Sequence, residues 1–240
     1  MPVTLQTQRS GMRHLTAPMQ TQRGNGLLEL LLSLAVMATV SLSVINMSQK
    51  AQSKERGRWM ADALQSFTQV AAQYFIANRT AIETILSGDL KEAAQFCAIN
   101  VTSNSPGGVP SANALKRTCA VDASFLRARG LWPESMPLDV GRSRWAAVFR
   151  QLPSPQAGSA SQEVFVFLAA LDQGGIKTQG EMAYTESLPE FVDQTQASLA
   201  SLGAMGGFIP PGKDFGACQY NALLRQACGQ GWRVNLEDFL

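Results

Sequence analysis

Apolar residues dominate one stretch near the N-terminus of this chain. From Leu27 to Met47, 21 residues are mostly Leu, Val, Ala, Met and Ile, and Glu29 is the single charged residue among them. A helix needs about 20 such residues to cross a membrane, so the stretch predicts a transmembrane helix. The basic residues that precede it favour a cytoplasmic N-terminus and an external C-terminal part.

The hydrophobic pattern changes after Met47, but the helical spacing continues. Apolar residues now recur every three or four positions, as in a helix that buries one face: Met60, Leu64, Phe67, Val70, Ala71, Tyr74 and Ala77. The pattern predicts one helix that continues to Leu86. Gly57 is expected to be its weak point, and Gly88 is expected to end it.

The residues from about 90 onward predict a mixed α+β head. Segments 144–152 and 163–171 have the composition of two neighbouring strands joined by a turn-rich loop. Ser187 and Glu190 form a capping-box pattern before a helix that is expected to end near Gly203. Residues 232–239 alternate between apolar and polar side chains, which predicts a closing antiparallel strand. The expected fold is therefore α+β, with a long N-terminal helix packed on an antiparallel sheet.

Charge argues against a nucleic-acid-binding protein. Residues 1–24 contain three of the 20 basic residues and no acid, so the rest of the chain has 17 basic and 18 acidic residues. Such a balance lacks the basic surplus of a nucleic-acid-binding surface. Four basic residues that follow the apolar stretch suit contact with lipid headgroups, with DNA binding as the rarer alternative: Lys50, Lys54, Arg56 and Arg58.

The four cysteines indicate two disulfides in an oxidising compartment. Their number is even, and neither Cys97/Cys119 nor Cys218/Cys228 has the C-x-x-C spacing. Three pairings are possible. Sequential pairing is favoured because it closes the shortest loops. The only histidine is His14, and the cysteine spacing lacks the paired knuckles of a zinc site, so we expect no metal.

The chain has few groups for catalysis. Without a histidine after His14, a Ser-His-Asp or Cys-His site is not possible in the rest of the chain. Two carboxylates could form an acid/base pair, with Asp172, Glu181 and Glu186 as candidates, but only the composition of the chain supports such a pair. The four tryptophans could form a stacking face for a ligand, but core positions are the more usual role: Trp59, Trp132, Trp145 and Trp232. We expect neither an enzyme nor a bound cofactor.

The segment "RGNGLLELLLSLAVMATVSL" resembles the N-terminus of a type IV prepilin. That family has a basic leader ending in Gly, is cleaved after that Gly, and carries Glu at the fifth mature position. Cleavage after Gly24 makes Asn25 the first mature residue and Glu29 the fifth, whereas cleavage after Gly26 would put Glu29 third. A 24-residue leader is similar to those of the type IVb branch.

The resemblance implies a domain organisation and a role for Glu29. It implies a cleaved leader at 1–24, an apolar transmembrane and filament-core helix at 25–47, an amphipathic helix at 48–88 and a globular head at 89–240. Glu29 of one subunit would neutralise the new α-amino group of Asn25 in its neighbour. The implied partners are other pilin subunits, a prepilin peptidase and an inner-membrane assembly platform. The implied location is the bacterial inner membrane, followed by an extracellular pilus.

A finer resemblance is to the pilin domain of the PilV-like minor pilins of conjugative thin pili. It rests on "GRWMADALQSFTQVAAQYF", on "SLGAMGGFIPPGK" and on "GWRVNLEDF" at the C-terminus. It implies a minor or tip subunit whose head is exposed for adhesion, with a recipient-cell glycan or lipopolysaccharide as ligand. Two alternatives are a minor pseudopilin of a type II secretion system and a signal-anchored envelope protein that does not polymerise.

Overall fold

A computed structural model of the chain describes residues 25–99, 109–141, 143–152, 161–170, 177–181, 189–210, 212–214 and 218–239. For residues 25–36, 38–40, 42–43, 170 and 189–192 the description covers the backbone alone. The chain divides between Met47 and Ser48 into two units, and all of the strands belong to the second. It is an α+β protein in which helices combine with antiparallel sheets.

The long helix predicted to reach Leu86 is interrupted at Asn78. Helix α1 spans Asn25–Ala77 and helix α2 spans Arg79–Leu86. The Asn78 side-chain amide donates a hydrogen bond of 2.9 Å to the Tyr74 carbonyl, and an asparagine that bonds nearby backbone in this way favours a helix boundary. At the end of α2, Gly88 has φ +111°, and its amide donates to the Ile85 carbonyl. The predicted stop at Gly88 is confirmed.

A five-stranded antiparallel sheet forms the centre of the head. Its strands are β1 (Ala112–Asn113), β2 (Thr118–Asp122), β3 (Asp139–Val140), β4 (Ser143–Leu152) and β5 (Ser161–Ala170). Strand β5 pairs with β4 along its whole length, which confirms the two predicted neighbouring strands. Strands β2 and β3 pair with different stretches of β4 and therefore share its other edge.

Strand β4 is buried on both faces of this sheet. Successive side chains of a strand point to opposite faces. Trp145, Ala147 and Phe149 pack into one hydrophobic cluster together with side chains of α1. Ala146 and Val148 belong to a second cluster with the C-terminal residues. The sheet therefore has α1 on one face and the C-terminal segment on the other.

The C-terminal segment corrects the prediction of a strand over 232–239. A small antiparallel sheet contains β6 (Gly207–Phe208), β7 (Gln226–Gly229) and β8 (Trp232–Asn235), and a 3₁₀ turn follows at Leu236–Phe239. Three residues per turn place Leu236 and Phe239 on one face, where both are 1% exposed. A strand would have placed them on opposite faces, with one of them in water.

Besides helical residues at 179–181 and a 3₁₀ turn at Gly203–Met205, the described head has three further helices. They are α3 (Ala93–Phe96), α4 (Ala123–Ala128) and α5 (Pro189–Leu202). The predicted end of α5 is confirmed, because Gly203 follows it with φ +59°. Of the capping-box pair predicted for its start, Ser187 lies outside the described residues, and the side chain of Glu190 lies outside the description.

Candidate functional site

The predicted cleavage and assembly residues lie at, or just before, the first residues that the structure describes. Gly24 is outside the described residues, and the described part of α1 begins at Asn25. The side chains of Asn25 and Glu29 are not described, so the charge pair stays a prediction. The backbone of both residues is helical.

The predicted membrane span also stays a prediction. Within the described residues, no helix is both long enough and apolar enough to cross a membrane. Most side chains of Leu27–Met47 lie outside the description. Apolar side chains that are described in this stretch are well exposed: Met37 69%, Val44 60%, Ile45 51% and Met47 72%.

The second half of α1 packs on the main sheet. Phe67, Ala71 and Tyr74 are at most 2% exposed and pack in the cluster on the first face of the sheet. The Phe67 ring meets Trp132 edge-on with 5.3 Å between ring centroids. The Tyr74 hydroxyl donates to the Phe96 carbonyl at 2.8 Å. The predicted buried stripe is thus confirmed at its centre.

Gly57 is a contact point on α1 and not a break in the helix. A Cβ atom there would collide with the Gln194 carbonyl oxygen and lie 2.8 Å from the Ala197 Cβ of α5. The Ser198 hydroxyl donates to the Gly57 carbonyl at 2.7 Å. No local pattern in the sequence predicts this contact, because it joins residues 141 positions apart.

The four cysteines form disulfides in the sequential arrangement. Cys97 is bonded to Cys119, with 5.4 Å between Cα atoms, and Cys218 is bonded to Cys228, with 5.9 Å. The first bridge ties the end of α3 to β2, and the second ties residue 218 to β7. All four residues are buried, so both bridges act as structural links.

The two C-terminal segments that carried the finer resemblance contact each other. The Trp232 indole NH donates to the Ala204 carbonyl at 2.7 Å. A Cβ atom at Gly207 or at Gly229 would collide with the Trp232 ring. Gly207 and Gly229 are therefore required because the Trp232 ring packs against their backbone. We call Trp232, Gly207 and Gly229 the glycine–tryptophan cluster.

The tryptophans do not form one stacking face. Trp132 and Trp145 are at most 2% exposed in the first cluster, whereas Trp232 packs against the second. Trp59 is 41% exposed on α1. Core packing therefore accounts for three of the four, as the commoner role of tryptophan suggested.

Glu181 is a capping residue. Its carboxylate accepts a hydrogen bond from the Thr178 amide at 2.6 Å, and its own amide donates to the Thr178 hydroxyl at 3.2 Å. This is the reciprocal bonding of a capping box, and the T-x-x-E pattern at 178–181 could have predicted it. The Thr178 amide holds the pKa of Glu181 below its ordinary value, which opposes a role as general acid. Asp172 and Glu186 lie outside the described residues.

The basic residues after the apolar stretch are all exposed on α1: Lys50, Lys54, Arg56 and Arg58. Among the described residues none of them forms an ion pair with an acid. In the same part of the chain, no three His, Cys, Asp or Glu side chains come together as metal ligands. The lipid-headgroup or DNA contact expected for the four basic residues, and the expected lack of a metal, stay predictions.

Two ion-pair groups of the head have no signature in the sequence. Asp122 is fully buried, accepts the Phe125 amide at the start of α4, and lies 3.6 Å from the Arg144 guanidinium. Arg150 pairs with Glu163 at 3.0 Å and with Asp238 at 3.5 Å, which ties the C-terminal turn to the main sheet. Single charged residues in a sequence give no signal for such partners.

Comparison with known proteins leaves the family open. No protein-family model matches the chain, and searches of curated proteins and of solved structures find no significant match. The α+β class follows from the chain's own helices and strands. Any family assignment depends on the residues of this chain.

Proposed function

We propose that this chain is a type IV pilin-class subunit, cleaved after Gly24 by a prepilin peptidase and assembled through helix α1. The fold would be pilin-like, with the second half of α1 packed on the antiparallel sheet of the head. Before cleavage the protein would sit in the bacterial inner membrane with residues 1–24 in the cytoplasm. After assembly its head would be exposed on an extracellular pilus.

Helix α1 is the observation that carries this proposal. It is helical over Asn25–Ala77, and so includes both the apolar stretch that follows Gly24 and the amphipathic stretch that packs on the sheet. Exposed apolar side chains such as Val44 and Met47 need a cover that excludes water. Lipid would supply it in the precursor, and helices of neighbouring subunits would supply it in the filament.

Glu29 gives a chemical reason for assembly through this helix. A carboxylate surrounded by hydrocarbon is costly unless a partner compensates it. Cleavage after Gly24 creates a positive α-amino group at Asn25, and Glu29 of an adjacent subunit can pair with it. A pair of this kind also sets the axial offset between subunits, as a buried polar residue sets the register of a coiled coil.

The finer proposal is a minor or tip subunit of a type IVb-like, conjugative pilus. The glycine–tryptophan cluster supports it, since this contact joins the two C-terminal segments on which that resemblance rests. In this role the head acts by adhesion to a recipient-cell glycan or lipopolysaccharide and not by catalysis. The partners would be other pilin subunits and the inner-membrane assembly platform.

The deciding experiment is the N-terminal sequence and intact mass of the membrane-extracted protein, made with and without a prepilin peptidase. A start at Asn25 that requires the peptidase is the expected result. A start at Met1 in both samples would overturn the proposal and favour an anchored envelope protein. Crosslinking in cells would then show whether the processed subunit contacts pilus or secretion components.

A further inference from the structure

Helix α5 is attached to the head in an unusual way. None of its described side chains belongs to either hydrophobic cluster around the main sheet. Within the described residues, no disulfide and no ion pair joins it to another element. Its described contacts include those with α1 and with the turn that follows it, where Leu199 and Leu202 pack against Gly206.

The contact of α5 with α1 centres on Gly57. The absence of a side chain at this position lets the Gln194 carbonyl and the Ala197 methyl approach the α1 backbone closely. The Ser198 hydroxyl donates to the Gly57 carbonyl, and the Gln194 amide donates to the Met60 sulfur. Ser53 and Ala61, four residues to either side of Gly57, are also buried and share this face of the helix.

Glycine inside a helix is the position at which the helix bends most easily, since it gains the least from the helical conformation. In α1 this position is covered by α5. Residues of α1 that pack on the main sheet begin only at Ala63. Among the described residues, the stretch around Gly57 therefore contacts α5 and does not pack in the cluster on the sheet.

We propose that α5 is a releasable strap, which closes over a hinge in α1 at Gly57 and stiffens that helix while docked. Of the contacts described for α5, release breaks a few polar bonds and one close backbone contact, and neither hydrophobic cluster contains a described side chain of α5. Elements with such few apolar contacts open locally at a lower free energy than the whole domain unfolds. With the strap released, α1 bends at Gly57. This inference does not depend on the pilin proposal.

Hydrogen exchange of the full chain in detergent micelles, read by mass spectrometry, tests the strap. Gly57→Ala is the informative variant, because alanine is the better helix former but its methyl group collides with α5. We expect amides of 193–202 to exchange at least tenfold faster than in the wild type. Amides of β4, and amides of α1 near position 57, should keep their wild-type exchange rates.

A second variant changes the α5 side of the same contact. Ala197→Leu displaces α5 and leaves Gly57 in place, so amides of both α5 and residues 55–61 should exchange at least tenfold faster. Ser66→Ala, at an exposed position of α1 away from α5, is the matched control and should leave α5 unchanged. Unchanged α5 exchange in both test variants would overturn the strap. Faster exchange of β4 together with α5 would also overturn it, because α5 would then be an integral part of the head.

Discussion

The two halves of helix α1 are both rich in apolar residues, but only the second half buries them within the described chain. Phe67, Ala71 and Tyr74 are at most 2% exposed against the sheet, whereas Val44 and Met47 are 60% and 72% exposed. The difference follows from the spacing of the apolar residues. One apolar stripe fits one sheet, but a helix that is apolar all round needs a cover on every side.

The comparison also separates what each half is expected to do. Substitutions in the second half should change the stability of the head. Substitutions at the start of the first half should change processing and assembly and leave the head folded. Four experiments test this division, beginning with the largest expected effect.

Gly24→Val should abolish processing, because the branched side chain occupies the position that the proposed peptidase must accept. The intact mass of the membrane fraction should then correspond to a start at Met1. Gly26→Ala is the control and should still yield a start at Asn25. Normal cleavage of the Gly24→Val protein would show that the processing site lies elsewhere.

Glu29→Ala should leave cleavage intact but reduce the sheared filament fraction at least tenfold. The α-amino group of Asn25 then lacks its partner and must enter an apolar interface unpaired. Immunoblots of sheared and cell-bound fractions would measure the change. Filaments at wild-type levels would mean that the charge pair does not drive assembly.

Phe67→Ala should destabilise the head by about 3–5 kcal/mol, the usual cost of removing a buried aromatic ring. Urea unfolding of the full chain in detergent, followed by tryptophan fluorescence, measures it. Ile76→Ala is the control on the same helix, because Ile76 is 71% exposed, and it should cost about 0.5 kcal/mol or less. Equal costs would contradict the packing of this half on the sheet.

Tyr74→Phe tests the packing of the second half of α1 through the pH dependence of stability. Burial raises the pKa of Tyr74 above its ordinary value, so the protonated phenol is favoured in the folded chain. This contribution is fully present below the pKa of the unfolded chain and is lost as pH rises through the higher folded pKa. Wild-type stability should therefore fall above about pH 10.

The Tyr74→Phe variant should lose less stability over the same alkaline range. At neutral pH it should be about 1 kcal/mol less stable, since the hydrogen bond to the Phe96 carbonyl is gone. Thermal unfolding between pH 7 and 11 would measure both effects. The exposed Tyr220→Phe control should retain the alkaline loss, and identical alkaline slopes for Tyr74→Phe and wild type would contradict the assignment.

Features with a local signature could be read directly from the sequence. The stop at Gly88 and the centre of the α1 stripe each depend on residues within a few positions of one another, and the β4–β5 pair joins two segments that follow each other in the chain. The capping box of Thr178 and Glu181 had such a signature too, and Asn78 was a visible interruption in the helix. Neither was among the predictions made from the sequence.

Features that join distant residues could not be read in this way. The sequence predicts that Gly57 is a weak point of the helix, but in the structure α5 packs on it. The alternation of residues 232–239 predicted a strand through Phe239, but burial of Leu236 and Phe239 on one face of a 3₁₀ turn prevailed. The partners of Asp122 and Arg150 likewise lie on separate strands or turns.

The sequence by itself determined that α1 has an apolar half and an amphipathic half, because the period of the apolar residues is a local property of the chain. It also supplied the spacing of Gly24 and Glu29, on which the proposed function depends. Only the tertiary structure decided which cysteines pair, which glycines are contact points and where the last strand ends. Those outcomes depend on the packing of segments far apart in sequence. This packing contributes to the free energy of folding only when the segments are in contact.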